Sequence, residues 1–223
     1  MRSIACGLPP RPEMNTVYAI SHAMLDVAYQ SCFRGEIAGL ENVPRTGAYI
    51  VAANHASLLD PPIVGLYLPR PVRFFARQTL WKPGLASWWL DSVGCIAVDR
   101  DGGNDFGALK KVLAVLKEGN VVILFPEGTR SPDGRLQPPK PGVGFIACHA
   151  KVPVVPARIF GSADAFGKAG RFRPGTPVAV TYGRPLLPAD YDDPAAGRDR
   201  SQRAAERIMD AIAGLQRQEP LVL

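Results

Sequence analysis

The sequence contains few residues of the kinds that hold metal ions or form disulfide bonds. Its 223 residues include four cysteines and three histidines. The cysteines are widely separated: Cys6, Cys32, Cys95 and Cys148. Because they form no CxxC pair and no secretory leader precedes them, neither a zinc site nor a disulfide framework is indicated, and we expect a reducing, cytoplasmic compartment. The histidines are also far apart, so we expect no metal centre, and we expect no cofactor.

The sequence also lacks an apolar run suited to crossing a membrane. The segment MNTVYAISHAMLDVAYQSCF, from Met14 to Phe33, is about one bilayer long but carries His22, Asp26 and Gln30. We predict an amphipathic helix within an N-terminal segment of residues 1–34, followed by one folded domain over residues 35–223. Two interpretations of this helix remain open: it packs on the domain, or it lies in a membrane interface.

No internal repeat and no low-complexity tract is present, and the composition is 47% hydrophobic and 21% charged, as expected for a globular domain. The net charge of +6 favours an anionic partner such as a membrane surface, a phosphorylated substrate or an acidic carrier protein. Two small basic clusters, RPVRFFAR at 70–77 and KAGRFR at 168–173, are interpreted as solvated faces, with direct binding as the alternative. Nucleic acid is disfavoured because no aromatic platform is interleaved with the basic residues.

Apolar runs that resemble strands alternate with amphipathic stretches. The predicted strands are 48–54, 72–76, 94–98, 121–125, 153–159 and 178–182. Helices are predicted over 106–119 and over 201–218, the second with Ala205, Ile208, Met209 and Ile212 facing inward. We therefore predict a single-domain α/β sandwich, in which a mixed, mostly parallel sheet is covered by helices on both faces.

A tryptophan-rich stretch between two of these strands is unusually apolar. Aromatic residues at helical spacing usually pack in a core, and core packing is the interpretation we favour here over an acyl groove or a membrane-contacting face. Its large residues are Leu80, Trp81, Leu85, Trp88, Trp89 and Leu90.

The stretch NHASLLDPP places His55 five residues before Asp60, directly after the predicted strand 48–54. Ligand sites in α/β folds tend to lie at such strand ends. A local structural explanation is also available: Ser57 and Asp60 fit a capping pattern, and Asp60 before Pro61 is suited to cap a helix. The spacing alone does not decide between a catalytic pair and a cap.

A second polar loop follows the apolar strand 121–125. The stretch VVILFPEGTRSPDG carries Glu127, Thr129, Arg130 and Ser131, which also fits a Pro/Gly turn with a local Glu–Arg pair. Two buried strands that both end in polar loops indicate an active site.

The two motifs NHASLLD and FPEGTRS together resemble the PlsC-like glycerolphosphate and lysophosphatidate acyltransferases. The resemblance runs in order from about residue 48 to 183. Its second block is similar to 74–100, where Arg77 and Arg100 occupy the places of the family's basic residues. PPKPGVGFIA at 138–147 resembles the family's Lys-x-Gly segment and supplies Lys140, and VPVVPARI at 152–159 resembles the fourth block.

This resemblance implies an O-acyltransferase in which His55 is the general base and Asp60 orients it. No serine lies in a G-x-S-x-G motif, so we expect direct attack of an acceptor hydroxyl on an acyl thioester. The acceptor phosphate is expected to lie on the following residues: Glu127, Gly128, Thr129, Arg130, Arg77, Arg100 and Lys140.

The expected partners are acyl-CoA or acyl carrier protein as donor, a lysophospholipid acceptor and an anionic membrane surface to which the protein attaches peripherally. The most direct reading of the resemblance makes 1-acyl-sn-glycerol 3-phosphate the acceptor and phosphatidate the product. Another lysolipid or glycolipid acceptor, and a non-catalytic module that binds anionic lipid, are the alternatives.

Overall fold

A computed structural model describes residues 16–98, 105–168 and 170–217. Its strands are β1 Arg34–Ala38, β2 Tyr49–Ala53, β3 Val72–Arg77, β4 Cys95–Val98, β5 Val121–Leu124, β6 Val154–Phe160 and β7 Pro177–Tyr182. Its α-helices are α1 Thr16–Cys32, α2 Asp60–Leu66, α3 Leu85–Ser92, α4 Asp105–Lys117, α5 Pro141–Ala150, α6 Ser162–Phe166, α7 Pro188–Tyr191 and α8 Arg200–Gly214. Short 3₁₀ turns occupy Leu40–Asn42, Gln78–Leu80 and Pro194–Asp199.

The strands form one seven-stranded sheet in the order β1-β7-β6-β2-β5-β3-β4. Neighbouring strands are parallel except for β6 and β7, which pair antiparallel. The predicted mixed, mostly parallel sheet is therefore confirmed, and the six predicted strands agree with the structure within one residue at each end. Strand β1 was not predicted. Its sequence RGEIA is short and polar, and it pairs with β7 alone at the edge of the sheet.

Strand β2 shows how the two core layers are built. All five of its residues are buried, and successive side chains point to opposite faces of the sheet. Tyr49, Val51 and Ala53 join a core cluster with residues of α1, α2 and α6, whereas Ile50 and Ala52 join a second cluster with residues of α4, α5, α7 and α8. Helices thus cover both faces, as predicted. On α8 the four residues expected to face inward are all buried.

Helix α1 packs against the first of these faces through one side and exposes the other. Tyr29 is buried and its hydroxyl donates a hydrogen bond to the Val178 carbonyl at 2.8 Å. On the opposite side Ile20, Met24 and Val27 are 56%, 68% and 67% exposed, at a spacing that aligns them on one helix face. Within the described residues, no helix combines the length and apolar character needed to cross a bilayer.

The tryptophan-rich stretch lies beside this exposed side of α1. Trp89 donates its indole N–H to the Ser21 hydroxyl at 2.9 Å. Core packing was the wrong expectation for four members of the stretch, which are largely exposed: Leu80, Leu85, Trp88 and Trp89. Helix α3 has no buried residue. Its apolar surface is therefore available for contact outside the domain.

Strand β3 pairs with β5 over only two positions, Val72 with Val121 and Arg73 with Val122. Beyond them β3 continues beside β4, with Phe74 opposite Cys95 and Arg77 opposite Val98. The sheet therefore opens between β3 and β5 at the carboxyl end of β5, next to the loops that follow β2 and β5.

Candidate active site

His55 and Asp60 form a hydrogen-bonded pair at the end of β2. Nδ1 of His55 lies 2.9 Å from Oδ2 of Asp60, and the two side chains are 16% and 0% exposed. An ionised carboxylate only accepts hydrogen bonds, so Nδ1 carries the proton and Nε2 is the nitrogen with a free lone pair. The structure therefore brings the two predicted residues together through one hydrogen bond.

The Asp60 carboxylate bonds the loop before helix α2 as well as the imidazole. Helix α2 begins at Asp60, its N-cap position is Leu59, and no side chain caps it. Instead, Oδ2 of Asp60 accepts the backbone N–H groups of Ala56 and Ser57, both at 2.6 Å. Asp60 therefore does not cap a helix that begins at Pro61, because α2 already includes it. The S-x-x-D pattern is present, since Asp60 accepts the Ser57 N–H and the Ser57 hydroxyl accepts the Leu59 N–H at 3.0 Å. The same carboxylate thus serves both the preceding loop and the imidazole.

Asn54 fixes the point at which the chain leaves the sheet. Its Oδ1 accepts the backbone N–H of Ile159 at 2.7 Å, and its Nδ2 donates to the Ile159 carbonyl at 3.0 Å. The side chain thereby extends the pairing of β2 with β6, whose last main-chain partners are Ala53 and Ala157. The sequence analysis did not propose Asn54 as a site residue. The signal in the sequence was an asparagine directly after an apolar strand.

The loop after β5 holds both main-chain polar groups of His55. Oε1 of Glu127 accepts the His55 N–H at 3.1 Å, and the Ser131 N–H donates to the His55 carbonyl at 2.7 Å. Strands β2 and β5 are parallel neighbours, with Ala52 opposite Leu124, so their following loops lie side by side. Contacts between residues more than 70 positions apart in sequence thus set the position of the imidazole.

Glu127 is a buried carboxylate with an unusual environment. It is 2% exposed, and its Oε2 has no hydrogen-bond partner among the described residues. Burial raises the pKa of Glu127 to about 7; the hydrogen bond from the His55 backbone opposes this rise, and the nearby charge of Asp60 adds to it. The carboxyl group therefore changes its protonation state close to neutral pH.

The basic residues expected to hold a phosphate are partly brought together. Lys140 precedes α5, its backbone N–H donates to the Pro126 carbonyl at 2.9 Å, and its aliphatic stem lies against Gly128. Arg130 is half-buried, and Lys140 is exposed, as are Gly128 and Thr129. Neither cation forms an ion pair with an acidic side chain of the described residues.

The expected set contains two further arginines, Arg77 and Arg100. Arg77 is the last residue of β3, at the edge of the opening between β3 and β5. Arg100 lies outside the described residues.

Gly128 needs its lack of a side chain. Its φ is +70°, a left-handed conformation that favours glycine, and an added Cβ would lie 3.0 Å from Cδ of Lys140. The turn therefore brings the exposed backbone of the loop close to Lys140.

A mostly apolar cavity of about 290 Å³ begins at His55. It occupies the opening between β3 and β5 and extends under α4 and α5. His55 and Gly128 are part of its lining, and the ring of Phe125 stacks on His55 with centroids 4.1 Å apart. The remaining lining is largely apolar: Pro61, Phe74, Phe75, Leu109, Ile123, Leu124, Gly142, Val143 and Ile146. Sequence analysis did not predict this cavity because its walls come from five separate elements: α2, β3, α4, β5 and α5.

Comparisons with known proteins identify the family of this chain. Residues 34–160 match the family model described as Acyltransferase. A chloroplastic 1-acyl-sn-glycerol-3-phosphate acyltransferase of Brassica napus is 35% identical over 164 residues, covering 72% of this chain and 47% of that protein. The mouse 1-acyl-sn-glycerol-3-phosphate acyltransferase alpha is 34% identical over 155 residues, covering 66% and 53%. The chain thus spans about half the length of these curated relatives.

A solved structure is also similar over most of its length. The crystal structure of the 1-acyl-sn-glycerophosphate (LPA) acyltransferase PlsC from Thermotoga maritima matches with a TM-score of 0.71 and 27% identity, covering 90% of this chain and 81% of that one. Since the family model spans more than half of the sequence and the fold is shared, the chain belongs to the acyltransferase family.

Proposed function

We propose that this protein transfers a fatty acyl group from an acyl thioester to the free hydroxyl of a lysophospholipid, with 1-acyl-sn-glycerol 3-phosphate as acceptor and phosphatidate as product. The observation that carries the proposal is the His55–Asp60 pair at the mouth of an apolar cavity, with the cations Arg130 and Lys140 on the neighbouring loop. The names of the relatives support the choice of acceptor.

In the proposed reaction, Nε2 of His55 removes the proton of the acceptor hydroxyl as its oxygen attacks the thioester carbonyl. Asp60 keeps the proton on Nδ1 and stabilises the imidazolium that forms. The tetrahedral intermediate then collapses, the carbon–sulfur bond breaks, and the thiolate leaves and takes up the proton held on Nε2. Thiols are acidic enough to depart with little assistance.

The negative oxygen of the intermediate needs hydrogen-bond donors. The amides of Ala56 and Ser57 already donate to Asp60, that of His55 to Glu127, and that of Gly128 to the Phe125 carbonyl. The amides of Thr129 and Arg130 have no acceptor among the described residues, and we assign this role to them.

The acceptor phosphate is proposed to bind to the cationic side chains of the loop that follows β5. The guanidinium of Arg130 is suited to two parallel hydrogen bonds with a phosphate, and Lys140, Arg77 and Arg100 add positive charge. The small side chains of Gly128 and Thr129 allow the phosphate to approach the backbone of this loop. Glu127 supports this site from beneath, because its buried carboxylate holds the His55 backbone.

The cavity is proposed to receive the acyl chain of the donor. Its phenylalanine and aliphatic walls suit a hydrocarbon, and its open end at His55 places a carbonyl next to the base. Both acyl-CoA and acyl carrier protein present the same thioester, so the cavity is compatible with either donor.

We also propose peripheral attachment to anionic membranes through the exposed side of α1 and the tryptophans of α3. The aligned Ile20, Met24 and Val27 together with Trp88 and Trp89 form an apolar surface of the kind that enters a lipid interface. A cytoplasmic location stays a prediction of the cysteine pattern.

The test uses purified protein with a panel of lysolipid and glycolipid acceptors and both thioester donors, following free thiol and lipid product together. Thiol release that requires 1-acyl-sn-glycerol 3-phosphate and equals phosphatidate formed is the expected result. Thiol release without acceptor would identify a thioesterase instead. Binding to anionic vesicles without any thiol release would identify a lipid-binding module.

A further inference from the structure

The loop between α6 and β7 carries an exposed group of basic and aromatic residues that the proposed reaction does not use. Lys168, Arg171, Phe172 and Arg173 are all exposed, and together they form what we call the basic loop. None of its three cations forms an ion pair within the described part of the chain. Asp164, on the preceding helix α6, is the acidic residue nearest to it in sequence.

Helix α6, which directly precedes the basic loop, is hydrogen-bonded to the loop between His55 and Asp60. The Ser57 hydroxyl, in the stretch between His55 and Asp60, donates to the Phe166 carbonyl at 2.6 Å. The ring of Phe166 contacts that of Phe172, with centroids 6.1 Å apart. Arg173 is held as well, because its N–H donates to the Ala165 carbonyl at 2.8 Å. A surface that engages the basic loop is therefore brought next to the base.

The same loop packs against the C-terminal end of α1. Phe172 also packs edge-on against Phe33, with centroids 5.8 Å apart, yet 49% of its surface is exposed. The Gly175 N–H donates to the carbonyl of Cys32, the last residue of α1. Three exposed cations close in sequence to one exposed aromatic ring combine the two attractions that hold proteins at anionic lipid surfaces.

We propose that the basic loop is a docking element for an anionic lipid surface, and that it sets the active site against the membrane from which the acceptor is drawn. This role is distinct from that of the α1 and α3 surface: the loop supplies the electrostatic attraction, whereas the helices supply apolar contact. The proposal rests on the proposed function for its account of the acceptor, but the docking itself does not require catalysis.

The experiment compares the full chain with a triple variant, Lys168→Gln, Arg171→Gln and Arg173→Gln. A matched control removes the same charge from the opposite face of the sheet: Lys110→Gln, Lys117→Gln and Lys151→Gln. Binding is measured by sedimentation with vesicles of phosphatidylcholine alone and with about one third phosphatidylglycerol. Because each cation near such a surface contributes about a fivefold gain in binding, the loop variant should bind anionic vesicles about a hundredfold more weakly, and the control should change little.

Turnover separates docking from catalysis. The loop variant should lose activity on acceptor presented in anionic vesicles but keep it on a short-chain acceptor dissolved as monomers, with an unchanged melting temperature. Equal losses of vesicle binding in the two variants would overturn the proposal, as would unchanged binding of the loop variant. An increased Michaelis constant for the thioester donor with intact vesicle binding would assign the loop to the donor instead. If no thioester is consumed by the parent protein, the proposed function fails while the vesicle result still decides the docking role.

Discussion

The side chain of Glu127 is only 2% exposed, and it accepts the backbone N–H of His55 at 3.1 Å. This contact places a titratable carboxyl group behind the proposed base. Burial raises the pKa of Glu127 to about 7 from its ordinary value of 4.5, so the folded protein holds the proton more tightly than the unfolded chain does.

The first prediction concerns the pH dependence of stability. Since the folded state binds the extra proton between pH 4.5 and about 7, the Glu127 contribution to the free energy of unfolding is present at low pH and is lost as the pH rises through that window. The loss amounts to about 3 kcal/mol, because one pKa unit corresponds to about 1.4 kcal/mol. Glu127→Gln keeps an acceptor for the His55 N–H but does not ionise. Urea unfolding at pH 5, 6, 7 and 8 should give a flatter profile for the variant, and parallel profiles would contradict the assignment.

The second prediction separates catalysis from local structure at the His55–Asp60 pair. His55→Ala should lower the single-turnover rate at least about a hundredfold, the low end for loss of a general base, with little change in melting temperature. Asp60→Asn should also reduce the rate, because an amide does not fix the proton on Nδ1 or stabilise the imidazolium.

Asp60 needs its own stability control, since its Oδ2 also accepts two backbone N–H groups. Asp60→Ala should lower the melting temperature more than Asp60→Asn, whose oxygen can still accept those bonds. A fully active Asp60→Asn protein would show that the carboxylate serves the loop alone.

The third prediction concerns the acceptor phosphate. Arg130→Ala should raise the Michaelis constant for the acceptor by roughly 30-fold, since a charge-assisted contact contributes about 2 kcal/mol. The constant for the donor should change little. Lys151→Ala, a change at an exposed cation that follows α5, serves as the control. Equal effects of Arg130→Ala on both substrates would remove Arg130 from the acceptor site.

The fourth prediction concerns the cavity. Val143→Phe places a larger side chain on its wall and should shorten the acyl chain that fits. Losing burial of about two methylene groups corresponds to about a tenfold fall in kcat/KM for long-chain donors, while short-chain donors should be affected less. Gly142→Ala is a milder comparison, because a Cβ there meets no atom within 4 Å. A uniform fall across chain lengths, or a large drop in melting temperature, would indicate damage to the core instead.

The sheet could be predicted from local patterns in the sequence, whereas the roles predicted for His55 and Asp60 came from the resemblance to a known family. Apolar runs such as 121–125 are long enough to identify a buried strand, and a five-residue spacing can place two side chains within hydrogen-bond distance at a strand end. Strand β1 escaped prediction because only pairing with β7 stabilises so polar a segment.

Features that depend on contacts between residues far apart in the sequence could not be predicted from local patterns. The burial of Glu127 arises from the adjacency of β2 and β5, which no local pattern reports. The cavity depends on where β3 separates from β5. The exposure of Trp88 and Trp89 reverses a general tendency of aromatic residues, and it became evident only when the packing of α3 was known.

The placement of β2 beside β5 has a consequence for how such a molecule can diversify. After β2 the chain forms α2, β3, α3, β4 and α4, and β5 then pairs directly with β2, so that β3 and β4 lie on the far side of β5. This segment contributes Phe74, Phe75 and Leu109 to the cavity and exposes Trp88. The hydrogen bonds of His55 instead involve residues at or next to its two ends, namely Asp60, Glu127 and Ser131. Substitutions in the middle of this segment can therefore change the wall of the cavity and the exposed apolar surface without altering the hydrogen bonds of His55.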